Sequence, residues 1–247
     1  MHNICFYLGT YHDQLLAKRT IVALRNHYQS SDIICRSDGV LDATFERFCI
    51  ENKTQYVQGD RIKTLNYGGL WSITMLQLFL KLSRAEFLIR IEPDTVILRR
   101  LETLPDADVF ARYQGGKRPY YQGGAMGFSR NAAKLILESK LLESEIYKQT
   151  SYGYQRFADH YRQAEEILQN EPLAATDIIL SDVIAKLGFT VDDWQIAACF
   201  SHATDLHKWL ISQSIDSLEN YCFVHPVKCV IHPGPIEIDS LKPKLEG

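Results

Sequence analysis

No stretch of this 247-residue chain approaches the ~20 consecutive apolar residues that a membrane-spanning helix requires. The C-x-x-C pairing of metal and redox motifs is missing too. The six cysteines (Cys5, Cys35, Cys49, Cys199, Cys222, Cys229) are too dispersed for a disulfide framework, and several lie in apolar stretches, as small buried thiols do. There is no basic block: 27 Lys and Arg are scattered among 30 Asp and Glu for a net charge of −3, so nothing tracks a phosphate backbone and nucleic acid is not an expected partner. Internal repeats and low-complexity segments are likewise missing. Met1-His2-Asn3 followed by Ile4 to Leu8 lacks the basic flank and long apolar core of a signal peptide. The expectation is a cytoplasmic protein without a transmembrane segment, with room for a peripheral membrane contact. What is present, 46% hydrophobic and 23% charged residues, fits a folded domain rather than a disordered, collagen-like or coiled-coil chain.

The first hundred residues alternate in period. Ile4 to Leu8 is a continuous apolar run ending at Gly9-Thr10, as a buried parallel strand feeding a loop would read. Ala17, Ile21, Leu24 and Tyr28 recur at helical spacing over 13–28. Asp32 to Arg36 is a second strand ended by Ser37-Asp38-Gly39, 41–51 a second helix, and Thr54 to Val57 a third strand. This order predicts a parallel sheet with helices on its faces, an α/β fold in one domain. Leu70 to Leu82 is apolar nearly all round and predicts a deeply buried helix. Glu86 to Ile91 is a strand ending at Glu92-Pro93-Asp94-Thr95. Further strands are expected at 96–98, 108–112 and 122–128, a helix from Asn131, and helical character over 140–170. A helix at Thr176 to Leu187 is closed by Gly188. The chain divides at about residue 98 into a first half, 1–98, and a second half, 99–247.

Chemistry concentrates at a few points. Glu92 and Asp94 stand at the carboxyl end of a buried strand, where open α/β sheets bind ligands, and residues two apart in extended chain face one side. Two hard oxygen donors there suit Mg²⁺ or Mn²⁺ with a phosphate completing the shell; a solvated strand end with two surface acids is the plain alternative. Gly123 and Gly124 permit either a close backbone approach or a simple bend. Thr176 and Asp177 open a helix, where Thr176 is a good N-cap and an acid gains ~0.3–1 kcal/mol from the helix dipole, so Asp177 has a structural reading as well as a chemical one. His202 and His207 are five apart and lack metal spacing, which disfavours a zinc hydrolase. Trp71 reads more readily as core than as a ligand contact.

Glu92-Pro93-Asp94-Thr95 after an apolar strand resembles the acidic D-x-D signature of glycosyltransferases with the GT-A fold. Three more segments follow in the family's order. Gln122-Gly123-Gly124-Ala125 is similar to the Gly-Gly stretch bordering the sugar site. Thr176-Asp177-Ile178 is similar to the E-D-[VI] segment of the inverting β-1,3-galactosyltransferase and fringe-like group. His225-Pro226-Val227-Lys228 is similar to a late H-P-x-K segment whose His binds metal. Glu stands for the usual first Asp, and Thr for the Glu before Asp177.

The resemblance implies transfer of a sugar from a nucleotide-sugar, with a UDP-sugar favoured, to a glycan or other hydroxyl acceptor with inversion. Glu92, Asp94 and His225 would hold Mn²⁺ or Mg²⁺, Lys228 would neutralise the diphosphate, and Asp177 would be the base, with Asp182 and Glu171 behind it. Thr10, Tyr11 and Asp38 would meet the nucleoside, and Gly123 and Gly124 the sugar. Tyr120, Tyr121, Tyr152 and Tyr154 are candidates for an acceptor platform, although Tyr154, Phe157 and Tyr161 also have the spacing of a helical core face. A retaining transferase and a non-catalytic nucleotide- or sugar-binding protein of the same fold are the alternatives.

Overall fold

The computed structural model describes residues 3–39, 41–115, 120–148, 174–200 and 203–226. Its centre is a seven-stranded mixed sheet. β1 (Ile4–Thr10), β2 (Asp32–Asp38) and β3 (Gln55–Gly59) run parallel to one another, and β4 (Phe87–Ile91) runs parallel on the other side of β1. β6 (Val109–Gln114) and β7 (Tyr120–Ser129) pair antiparallel, β7 is antiparallel to β4, and β8 (Val191–Asp193) closes the edge beside β6. The order β3-β2-β1-β4-β7-β6-β8 reverses direction between β1 and β4, which opens a crevice at their carboxyl ends.

Side-chain alternation sorts the two cores. Ile4, Phe6 and Leu8 of β1 pack with Ala17, Ile21 and Leu24 of α1 (Gln14–His27) and with Phe45 and Cys49 of α2 (Ala43–Glu51). Cys5 and Tyr7 face the other way, onto Trp71, Met75 and Phe79 of α3 (Gly68–Leu82). That second face also receives α4 (Arg130–Glu138) and α5 (Thr176–Leu187). Period-two burial on both sides of a parallel strand is why Ile4 to Leu8 reads as continuously apolar. Asp42 accepts from the Thr44 and Phe45 N–H groups and caps α2, and Gly188 ends α5 at φ +67°. α5 starts otherwise than expected. Its N-cap is Ala175; Thr176 is already helical and donates its hydroxyl to the Thr64 carbonyl at 3.2 Å, so tertiary anchoring replaces capping.

A second, three-stranded sheet lies beside the first. β5 (Val96–Ile97) pairs antiparallel with β10 (Phe223–His225), which runs parallel to β9 (Ala197–Cys199). Val96, Ala198 and Val224 pack under Leu206 and Leu210 of α6 (Ala203–Ser212) and Leu218 of the short α7 (Ile215–Leu218). Of the segment expected to be helical over 140–170, residues 141–143 and 145–148 form short 3₁₀ turns, and 149–170 lie outside the described residues, with Tyr152, Tyr154, Phe157 and Tyr161. The five cysteines among the described residues are buried and unpaired by disulfides. No helix of the described residues is long and apolar enough to cross a membrane.

Candidate active site

A cavity of about 560 Å³ opens at the carboxyl ends of β1, β2 and β4, with Thr10, Tyr11, Asp38, Arg61, Trp71 and Glu92 on its walls. Three of these were expected to meet a nucleoside, and two are held by the protein itself. Thr10 donates its hydroxyl to Asp13 Oδ1, which also accepts from the Tyr11 N–H at 3.0 Å. Asp38 pairs with Arg36 through one oxygen and accepts the Ile62 N–H at 2.9 Å through the other, so it fastens the 60–66 loop. Arg36 reaches the same loop at the Asp60 carbonyl, 2.7 Å. Tyr11 offers a ring, with the Arg61 guanidinium 4.0 Å from its centroid and donating to its hydroxyl at 3.1 Å. Arg61 and Lys63 bring two cations to a lining that also carries Asp13, Asp38 and Glu92, a feature invisible to motif reading because the segment has no regular pattern.

The Glu92–Thr95 segment is not extended. β4 stops at Ile91, and the Thr95 N–H returns to the Glu92 carbonyl at 3.0 Å, closing a turn over Pro93-Asp94. The buried hydroxyl of Thr20 on α1 lies 2.7 Å from the Pro93 carbonyl and 3.0 Å from that of Thr95. Thr95 Oγ1 and the Glu92 N–H both reach the Gly124 carbonyl, at 3.1 and 3.3 Å. Because the chain turns, the two carboxylates take different partners rather than facing one side as expected from extended chain.

Glu92 belongs to a cluster around Arg90, which is 4% exposed. The guanidinium pairs with Glu92, donates to Asp177 Oδ1 at 2.8 Å, and lies 4.6 Å from the Trp71 ring centroid. Burial works against its charge, but Glu92 and Asp177 outweigh that and hold the Arg90 pKa above its ordinary value. The other oxygen of Asp177 accepts the Gly123 N–H at 2.9 Å. Arg90 escaped the motif reading; its signal was a single charge inside the apolar run Phe87-Leu88-Ile89-Arg90-Ile91, two residues before Glu92 and thus on the same face.

Asp94, 4% exposed, meets the chain's far end: its Oδ1 is 3.1 Å from His225 Nδ1 at the end of β10, and that buried nitrogen makes no hydrogen bond. Donors bound at adjacent corners of an octahedral shell with ~2.1 Å bonds sit ~3 Å apart, so Asp94 and His225 fit one edge of a divalent cation's shell. Glu92 does not join them. Among the described residues, no group of three or more His, Cys, Asp and Glu is placed to hold a metal ion.

The Gly-Gly stretch separates and serves both clusters. A Cβ on Gly123 would overlap Asp177 Oδ1 and the Arg90 guanidinium; one on Gly124, pointing to the opposite face of β7, would overlap the His225 ring. Both glycines are close-approach positions rather than a bend. Asp182 is half-buried on α5, while Lys228 and Glu171 lie outside the described residues. Tyr121 is half-buried against Tyr113, ring centroids 5.9 Å apart.

No protein-family model matches the chain, and no curated protein matches it in sequence. In structure it is similar to the glycosyltransferase GlyE of Streptococcus pneumoniae TIGR4, with a TM-score of 0.55 and 10% identity over 92% of this chain. The match covers 55% of that protein, so the chain spans about half the neighbour's length. The mixed α/β sheet flanked by helices is thus a GT-A-like fold, shared with that glycosyltransferase.

Proposed function

We propose that the chain is a glycosyltransferase that moves a sugar from a nucleotide-sugar, a UDP-sugar for preference, to a hydroxyl acceptor. The observation that carries this reading is the meeting of Asp94 and His225 at 3.1 Å, just past the carboxyl end of β4, whose next residue, Glu92, lines the crevice. Asp94 and His225 would hold Mn²⁺ or Mg²⁺, with Lys228 assigned to the diphosphate by resemblance alone. When bound, the cation would act as a Lewis acid on the diphosphate and stabilise charge developing on the leaving nucleotide. Arg61 and Lys63 line the crevice cavity and are the cations there that can meet the donor's phosphates, and Tyr11, with Arg61 over its ring, is the aromatic residue beside them for the base.

In the inverting route Asp177 takes the acceptor's hydroxyl proton, assistance that contributes ~10²–10⁴-fold. Its side chain is 24% exposed, so an acceptor can reach it. A specific observation favours a second route. Both Asp177 oxygens already accept hydrogen bonds, from Arg90 and from the Gly123 N–H, and this commitment suits an anchoring role and a retaining transferase. The anomer of the product, read by NMR, separates the two.

The test is a thermal-shift screen of nucleoside diphosphates, each with and without Mn²⁺. A selective shift that needs the cation and disappears in Asp94→Ala is the expected result. Unchanged calorimetric affinity for UDP plus Mn²⁺ in that variant rejects the assignment.

A further inference from the structure

A second cavity, about 280 Å³, lies between β6 of the large sheet and β9 of the small one, and shares no lining residue with the nucleotide crevice. Arg112, Tyr113 and Gln114 of β6 form one wall, and Gln195, Trp209 and Tyr221 the other. We propose that this cavity is a binding site for a neutral saccharide; its use as the acceptor site rests on the glycosyl-transfer reading above.

The lining argues for that ligand class. A pyranose presents an apolar C–H face and a rim of hydroxyls, so it is matched by an aromatic ring face together with planar amide groups. Trp209 is fixed for such stacking: Phe200 lies against it at 5.3 Å between centroids, and Tyr221 meets it edge-on at 5.0 Å and 88°. A ring already immobilised by its neighbours loses little freedom when a ligand docks. Gln114 donates to the Cys199 carbonyl at 3.1 Å, which orients its amide at the cavity wall, and Gln195 is exposed. Among the described lining residues the cation is Arg112, which is paired with Asp193 at 3.2 Å, so these residues offer no uncompensated charge to attract an anion.

Its position gives the ligand a use. Cys199, which lines the cavity, is the register partner of His225, so the cavity wall is one strand spacing, ~4.8 Å, from the strand that carries the imidazole. Gln122 donates to the Phe200 carbonyl at 3.0 Å and is followed by Gly123, whose N–H holds Asp177. The cavity is thereby joined to both halves of the candidate site.

The experiment is binding of the tagged 247-residue chain to a printed array of neutral oligosaccharides ending in glucose, galactose or N-acetylhexosamine. Binding to a subset is expected, weakened at least about tenfold in Trp209→Ala and in Tyr113→Ala, with Trp209→Phe close to the parent because a ring remains. Tyr113 is 45% exposed, so its truncation leaves folding intact if Trp209→Ala does not. Absence of binding on the whole array, or binding indifferent to both truncations, overturns the inference. The nucleotide screen is read on the same preparation. A cation-dependent nucleotide shift without glycan binding overturns this inference alone; glycan binding without any nucleotide shift upholds the saccharide site and removes its role as acceptor site.

Discussion

Replacing Arg90 by Met keeps the aliphatic stem under Trp71 but deletes the guanidinium that two carboxylates share. Removing one partner of a buried ion pair costs ~3–5 kcal/mol, because the survivor is left charged and dry. Here the survivors are not sealed: the side chains of Glu92 and Asp177 are 31% and 24% exposed, and Asp177 keeps the Gly123 N–H. Water can therefore reach both, which discounts the loss to ~2–4 kcal/mol, with the cation–π contact to Trp71 a part of it. At this chain length ~3 kcal/mol corresponds to a fall in Tm of ~6–12 °C. Urea titration followed by tryptophan fluorescence, alongside a calorimetric melt, measures the change. The triple variant Arg90→Met, Glu92→Gln, Asp177→Asn removes the stranded charges and should regain more than half of what the single change lost. A single-variant loss below ~1 kcal/mol would refute this account, as would a triple variant no more stable than Arg90→Met.

Two further outcomes are expected. Gly124→Ala should leave the far-UV spectrum intact, cost ~1–3 kcal/mol in overpacking, and abolish the Mn²⁺ dependence of any nucleotide shift, since the new methyl occupies the place of the His225 ring; an unchanged Mn²⁺ titration would reject the steric argument. Burial pushes the thiols of Cys5 and Cys199 up to about 12 and that of Cys222 to about 11. All three thus hold their protons more tightly folded than unfolded, so stability should fall as pH rises from ~9 towards 12, and the folded protein should label slowly at pH 8. Rapid modification of Cys5 at pH 8, located by peptide mass mapping, would contradict that.

The parallel half was legible because its information is local. Ile4 to Leu8, the helical spacing of Ala17, Ile21 and Leu24, and the apolar 70–82 stretch each declare their own period, and Gly188 marks a helix end by its freedom at positive φ. The order of β5, β10 and β9 was not legible, since strands of two and three residues carry too little pattern and their pairing is nonlocal. Asp94 and His225 could be linked beforehand only through resemblance; nothing in their spacing says that they meet. Glu92 was misplaced by assuming extended chain across Pro93, when a turn intervenes. Arg90 and the Arg61–Lys63 loop were overlooked for opposite reasons: the first looked like a blemish in a strand, the second had no pattern at all.

The short strand that delivers His225 sets the order in which the site is assembled. The doubly wound core can form its cleft from the first hundred residues, but the imidazole arrives only when β10, three residues long, slots between β5 and β9. Contacts joining such distant stretches of chain form late. Once docked, so brief a strand can also peel away by local opening while the large sheet stays folded. Such an opening would part Asp94 from its imidazole, so the integrity of the pair is governed by ladders two and three residues long rather than by global stability.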